Sequence, residues 1–272
     1  MITLVNGLSN QWIEPSDRGL QFGDGVFETV RLRHGQPMLW DRHWIRLCRG
    51  LDGLGIPRPL EADCLKELCR VANAPLVTAK LIVTRGPAPR GYAIPSKVSP
   101  TRIAMGGAVL AAEGQDRLLR IGVCATRTSL SPLPGCKHLN RLENVLARRE
   151  WKPDWDEGLM LDEKGRIRCG TQSNVFVLEG NRLLTPSVSR YGVAGTRRGW
   201  LVDHAGSMGL DVREADLSLE RLRKASAILL SSTVIGFRLA ALVTDSPENS
   251  PAASPELVEL AKAIGERMHG SG

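Results

Sequence analysis

Lys137 is the residue of this chain best placed to do covalent chemistry. It closes a turn-forming loop, SPLPGC, and precedes HLNRLENVLARR, where Leu139, Leu142 and Leu146 recur at helical spacing. The spacing predicts a helix over 138–149 with Lys137 at its N-terminus. There the positive end of the helix macrodipole disfavours an ammonium group. A neutral amine is the nucleophile that Schiff-base chemistry requires. An exposed loop lysine is the plainer alternative on this local pattern. Other chemistries leave no trace: HExxH, GxSxG and P-loop motifs do not occur, and the five histidines are scattered. Six cysteines, at 48, 64, 69, 124, 136 and 169, form no CxxC pair and read as reduced, mostly buried thiols.

Charge carries the next clue. The 272 residues hold 36 basic against 29 acidic side chains, a net charge of +7, with eight lysines and 28 arginines. Arginine is a fixed, forked cation suited to carboxylates and phosphates. No basic run or stripe occurs and aromatics are only 4%, so nucleic acid is not the expected partner. No apolar run approaches a membrane span, and MITLVNGLSNQW lacks the pattern of a signal peptide. A cytoplasmic protein that binds a small anion is the expectation, with neither membrane nor metal involved.

The elements that must position Lys137 alternate between strand and helix. Strands are expected at 1–5, 26–33 and 37–40, with His34-Gly35-Gln36 as the turn between the last two. Asp41 is expected to cap a helix to about 54 that carries Trp44, Leu47 and Leu51, and a second helix covers 61–72. Strands at 77–84 and 101–110 flank a Pro/Gly-rich loop, and AAEGQD (111–116) reads as a linker. Beyond it come strands at 118–126, 157–161, 174–179, 182–184 and 228–231. Helices at 196–208 and 255–268 complete a chain of two α/β domains joined near residue 115.

Five segments, in order, give this pattern a second meaning: SDRGLQFGDGVFET (16–29), DRHWIRL (41–47), KHLNRLENVLAR (137–148), GTQSNVFVLEGNRLLTP (170–186) and GVAGTRRGWL (192–201). A sixth, SSTVIGFR (231–238), is weaker but well placed. Together they resemble the fold-type IV pyridoxal-phosphate enzymes, which include D-amino-acid and branched-chain aminotransferases and aminodeoxychorismate lyases. The resemblance implies an α/β fold of the α+β type. A smaller N-terminal two-layer domain would span 1–113. A larger C-terminal mixed-sheet, pseudo-barrel domain would span 114–272 and carry the Schiff-base lysine, with the cofactor between them. It also implies a homodimer.

The roles follow by resemblance. Lys137 would bind pyridoxal 5'-phosphate covalently and then serve as the general base and acid. Arg46 would hold the phosphate, as would Gly195 and Thr196 at a helix start and Ser232 and Thr233 after a strand. Asn174 would order the surroundings of the cofactor ring. The loop RGPAPRGYAIP (85–95) looks like that of the lyase branch. Its Arg85, Arg90 and Tyr92 would meet the carboxylates of a chorismate-like substrate, and Thr29 would supply a polar contact. One position departs from the pattern: Cys169 stands where most relatives carry the glutamate that keeps the pyridine nitrogen protonated. A thiol of ordinary pKa does this poorly, which weakens the case for transamination more than that for lyase chemistry. The reading is a lyase converting 4-amino-4-deoxychorismate to 4-aminobenzoate and pyruvate, for folate synthesis. An aminotransferase of the same fold and a non-catalytic binding protein are the alternatives.

Overall fold

The computed structural model describes residues 2–9, 11–108, 117–243 and 255–270. Two compact units emerge: Met1–Ala111 with Cys136–Asn140, and Ala112–Gly135 with Arg141–Gly272. The boundary expected between residues 113 and 114 lies outside the described residues, as does the AAEGQD linker. The lysine segment, expected in the second domain, packs with the first unit.

The first unit is a five-stranded antiparallel sheet of β1 (Ile2–Val5), β2 (Gly25–Arg33), β3 (Gln36–Pro37), β4 (Leu76–Thr84) and β5 (Thr101–Ala108), in the order β1-β5-β4-β2-β3. A short helix, α1 (Arg18–Phe22), precedes β2, and α2 (Trp40–Leu54) and α3 (Glu61–Val71) cover one face. The period of two in GVFETVRLR decides which side chains go where. Val26, Val30 and Leu32 join Val77, Ala79, Leu81 and Val83 of β4 against Leu47 and Leu51 of α2 and Leu68 and Val71 of α3. Burying each such leucine is worth about 1.5–3 kcal/mol. Phe27, Thr29 and Arg31 stand on the opposite face, beside Thr78, Lys80 and Ile82 of β4. The β2–β3 turn is the two-residue His34-Gly35, both at positive φ (49° and 77°), the hairpin geometry that continues the strand twist. The second helix starts at Trp40 after a left-handed Leu39, so Asp41 sits in its first turn and not at its cap.

The second unit is an eight-stranded mixed sheet. Its strands are β6 (Leu119–Arg127), β7 (Glu157–Leu161), β8 (Ile167–Gly170), β9 (Asn174–Glu179), β10 (Arg182–Thr185), β11 (Asp211–Glu214), β12 (Ala227–Ser232) and β13 (Gly236–Leu242). They lie in the order β11-β10-β9-β12-β13-β6-β7-β8, with parallel pairs at β11–β10, β13–β6 and β6–β7. All five residues of β7 are buried, the pattern of a strand covered on both faces. Helices α4 (Leu142–Arg149), α5 (Thr196–His204), α6 (Leu219–Lys224) and α7 (Pro255–Gly270) complete the unit, and a 3-10 turn, Ala205–Met208, extends α5. The α/β class with two sheets is as expected. Sequence periodicity missed α1, β8, β11, α6 and β13; the first four are four to six residues long, too short to develop a period.

One difference bears on chemistry. The helix expected from residue 138 begins at Leu142. The Phe27 N–H donates to the Lys137 carbonyl at 2.8 Å, and the Leu139 N–H donates to the Gly25 carbonyl at 3.0 Å. Asn140 Nδ2 donates to the Gly23 carbonyl. Backbone pairing with the start of β2 thus holds residues 137–139 extended. Lys137 stands five residues before the helix, outside the reach of its macrodipole, which fades within one turn. Two of the three leucines of the expected stripe point outward: Leu142 is 70% exposed and Leu146 41%.

Candidate active site

In the first unit, the Lys137 ammonium nitrogen lies 4.5 Å from the centroid of the Phe27 ring. Lys80 Nζ lies 4.5 Å from the same ring. Thr29 is the direct cross-strand partner of Lys80 on that face, and Arg31 is one pleat further along. Burial pulls the Lys80 pKa down, and it has no carboxylate partner among the described residues. Burial and then Arg33 lower that of Arg31, whose Nε is buried without a hydrogen-bond partner. Two half-buried cations without acids therefore share a face with Thr29 and Phe27. Sequence reasoning missed both; the available clue was a lysine at a polar alternation point of the apolar run LVTAKLIVT.

Arg46 lies on the helix-covered face, tied to Glu28 through both edges of the carboxylate: Nε to Oε1 at 2.8 Å and Nη2 to Oε2 at 2.5 Å. His43 Nδ1 meets Glu28 Oε2 at 2.6 Å. Burial opposes ionisation of Glu28, but Arg46 and His43 outweigh it and bring its pKa down to about 2. An ionised carboxylate only accepts, so His43 Nδ1 carries the hydrogen. Burial lowers the His43 pKa against the pull of Glu28, and the charges of Arg46 and Lys137 lower it further. His43 is therefore neutral. Arg46 is thus a charge held in a rigid, half-neutralised frame, where the sequence suggested a simple phosphate fork.

The loop arginines divide. Arg85 is 3% exposed and fully engaged. It pairs with Asp24 through Nε (2.7 Å) and Nη2 (3.1 Å), and donates to the Gly55 and Leu54 carbonyls at 3.0 and 2.6 Å. Expected at a substrate carboxylate, Arg85 is held by internal partners: it follows directly on β4, where the strand end is buried, and a guanidinium there needs such partners. Arg90 and Tyr92 are exposed, the latter at 84%.

In the second unit, Asn174, Gly195 and the end of β12 come together. Asn174 Nδ2 donates to the Val193 carbonyl at 2.9 Å, and a Cβ on Gly195 would lie 2.0 Å from Asn174 Oδ1. Asn174 also pairs in register with Ser231, whose hydroxyl is buried without a hydrogen-bond partner. Ser232 and Thr233 follow directly, and Gly195 opens α5 without a side-chain cap. Asn174 therefore shapes the entry to α5. A side-chain-free helix start beside an orphaned hydroxyl suits a phosphate group.

Cys169 lies in β8 opposite Met160, in an apolar cluster with Cys124 and Ala147 that Trp151 and Trp155 flank. Burial, then the neighbouring carboxylates of Glu157 and Glu143, push its thiol up to about 12. It is a neutral thiol at physiological pH and cannot act as a carboxylate. A carboxylate missed by sequence reasoning lies nearby: Glu157, at the start of β7. Its Oε1 accepts from Thr171 N (3.0 Å), Thr171 Oγ1 (2.6 Å) and Gly158 N (2.9 Å), and its Oε2 from Ser173 Oγ (2.8 Å). Burial raises its pKa, and these donors hold the rise in check. Glu157 thereby braces the turn between Cys169 and Asn174. No His/Cys/Asp/Glu group fit for a metal occurs among the described residues.

Known proteins resemble this chain over most of its length. The chain is 31% identical over 254 residues to an aminodeoxychorismate lyase of Vibrio harveyi, covering 90% of this chain and 92% of that protein. It is 29% identical over 229 residues to a D-alanine aminotransferase of Listeria monocytogenes, covering 82% and 79%. The crystal structure of 4-amino-4-deoxychorismate lyase from Pseudomonas aeruginosa superposes with a TM-score of 0.88 at 34% identity, covering 98% of both chains. The family described as amino-transferase class IV matches residues 25–242. The chain belongs to the amino-transferase class IV family.

Proposed function

We propose that this protein is a pyridoxal-phosphate-dependent lyase that converts 4-amino-4-deoxychorismate to 4-aminobenzoate and pyruvate, supplying folate synthesis. The observation that carries the reading is the pair of acid-free, half-buried cations, Lys80 and Arg31, on the face of Phe27 and Thr29. A substrate with two carboxylates fits two such cations, whereas a simple amino acid brings one. The similarity to lyases over nine-tenths of the chain points the same way.

Lys137 would bind the cofactor; in the first unit Arg46 is the candidate cation for its phosphate, and in the second Gly195, Thr196, Ser232 and Thr233 form a candidate phosphate cup. Asn174 shapes that cup, and Cys169 stays a neutral thiol in its apolar cluster. When bound, pyridoxal phosphate draws electrons from the carbon that bears the substrate amine. Lys137 then takes the proton from C4 of the substrate ring. The ring becomes aromatic as the enolpyruvyl C–O bond breaks, and the proton ends on the methylene carbon of the departing group, giving pyruvate. Thr29 orients the substrate. Lys80 and Arg31 hold its carboxylates, and Arg90 and Tyr92 meet it from their loop. The exposed apolar residues Trp12 and Leu142 support a homodimer that covers them. Six free cysteines support a reducing, cytoplasmic setting, and no described helix is long and apolar enough to cross a membrane.

Borohydride reduction followed by peptide mapping, with a pyruvate-release assay on aminodeoxychorismate, tests the reading. A pyridoxyl mass on Lys137 and stoichiometric pyruvate and 4-aminobenzoate are expected. A pyridoxyl mass on another lysine, or glutamate formed from D-alanine and 2-oxoglutarate without any lyase turnover, would overturn it.

A further inference from the structure

Arg18 is 4% exposed and lies at the first position of α1, far in sequence from the loop that carries Arg90 and Tyr92. Its guanidinium nonetheless gathers three successive carbonyls of that loop. Nη1 donates to Gly91 O at 2.9 Å and to Ala93 O at 3.3 Å, and Nη2 donates to Tyr92 O at 3.3 Å. Gly91 sits at φ 100°, a conformation open to glycine at no steric cost, which lets neighbouring carbonyls turn toward one cation. The third side of the fork, Nε, donates to Asp24 Oδ2 at 2.8 Å. Asp24 is in turn held by Arg85, and Arg85 donates to the carbonyls that end α2. Arg18 also lies 5.0 Å above the Phe22 ring, which packs on the Tyr92 ring at 5.2 Å.

The loop's side chains are solvent-exposed while its backbone is clamped from beneath. An exposed Pro/Gly loop ordinarily samples many conformations, and ordering it at the moment of binding costs entropy. A planar fork with fixed geometry restrains several carbonyls at once, which the single ammonium of lysine cannot reproduce. We propose that Arg18 is a positioning residue: by clamping the 91–93 carbonyls it preorganises Arg90 and Tyr92 for a carboxylate-bearing substrate. The inference rests on the lyase reading for the identity of that substrate. The clamp itself is a property of the loop.

Arg18→Lys keeps the ion pair with Asp24 and removes the fork. In the holoenzyme, hydrogen exchange of the 90–94 amides should become faster. KM for aminodeoxychorismate should rise about tenfold, below the roughly hundredfold that a 1 Å misplacement can cost, with kcat and the cofactor's absorbance little changed. Phe22→Leu leaves every ionic contact in place and should give the same KM signature in weaker form, so the test survives if Arg18→Lys folds poorly. Unchanged exchange and unchanged KM in a folded variant would overturn the clamp, as would a fall in kcat at constant KM. If the wild type releases no pyruvate from aminodeoxychorismate, the lyase reading fails alone, and faster loop exchange in Arg18→Lys still upholds the clamp.

Discussion

Glu28 and Glu157 are buried almost equally, 1% and 3% exposed, one in each unit, yet their surroundings drive their ionisation in opposite directions. Glu28 meets a guanidinium and an imidazole, and its pKa falls to about 2. Glu157 meets only hydroxyls and backbone N–H groups, and its pKa rises. Burial pushes both carboxylates toward the neutral form. The sign of the outcome is set by whether a full positive charge stands within hydrogen-bonding reach. The same contrast separates the work the two groups do. Glu28 fixes the positions of Arg46 and His43. Glu157 acts as a neutral-tolerant brace for the turn that leads from Cys169 to Asn174.

The contrast breaks most visibly on substitution. Glu28→Gln leaves Arg46 buried without its anion and should cost about 3–5 kcal/mol of stability, read by chemical denaturation of the holoenzyme. Glu157→Gln retains shape but turns amide hydrogens toward existing donors, and should cost less, about 1–3 kcal/mol. Equal losses would show that the two carboxylates are not distinguished by their partners.

Acid titration should show the same difference with opposite slopes. Glu28 has a folded pKa below its unfolded value near 4.3, so its contribution is present above that value and is lost as pH falls toward about 2. Glu157 has a raised folded pKa, so its contribution is present below the unfolded value and diminishes as pH rises through the folded one. Stability measured from pH 5 down to 2 should therefore fall in the wild type, and fall less steeply in Glu28→Gln. Parallel curves would remove the assignment.

The smallest effect concerns the thiols. Cys69 is exposed, whereas Cys48, Cys64, Cys124, Cys136 and Cys169 are buried, and burial lifts Cys64, Cys124 and Cys169 to about 12. A thiol-reactive reagent at pH 8 should label Cys69 alone in the native protein. Rapid labelling of Cys169 would mean that its cluster is open and that the thiol stands among reactive groups.

Much of this protein was legible in the residues themselves. Alternation in GVFETVRLR and LVTAKLIVT announced the central strands, because a pleated strand presents every second side chain to one face. Six ordered motifs announced the family, with Lys137 at their centre. Other features depended on partners distant in sequence. Lys137 lost its expected place at a helix start because the edge of β2 claimed the backbone of residues 137–139. Arg85 and Arg90 sit five residues apart in one loop, yet the first is buried against the partly buried carboxylate of Asp24 and the second is exposed. Arg18 reached a loop more than seventy residues away, and Glu157 reached the turn after Cys169. The residues alone set the longer strands and helices, the cysteine at the unusual position and Lys137 as the expected cofactor-bearing lysine. Only the tertiary structure decided which charges are neutralised and which remain available. Charge pairing depends on distance and burial, and neither is encoded in the spacing along the chain.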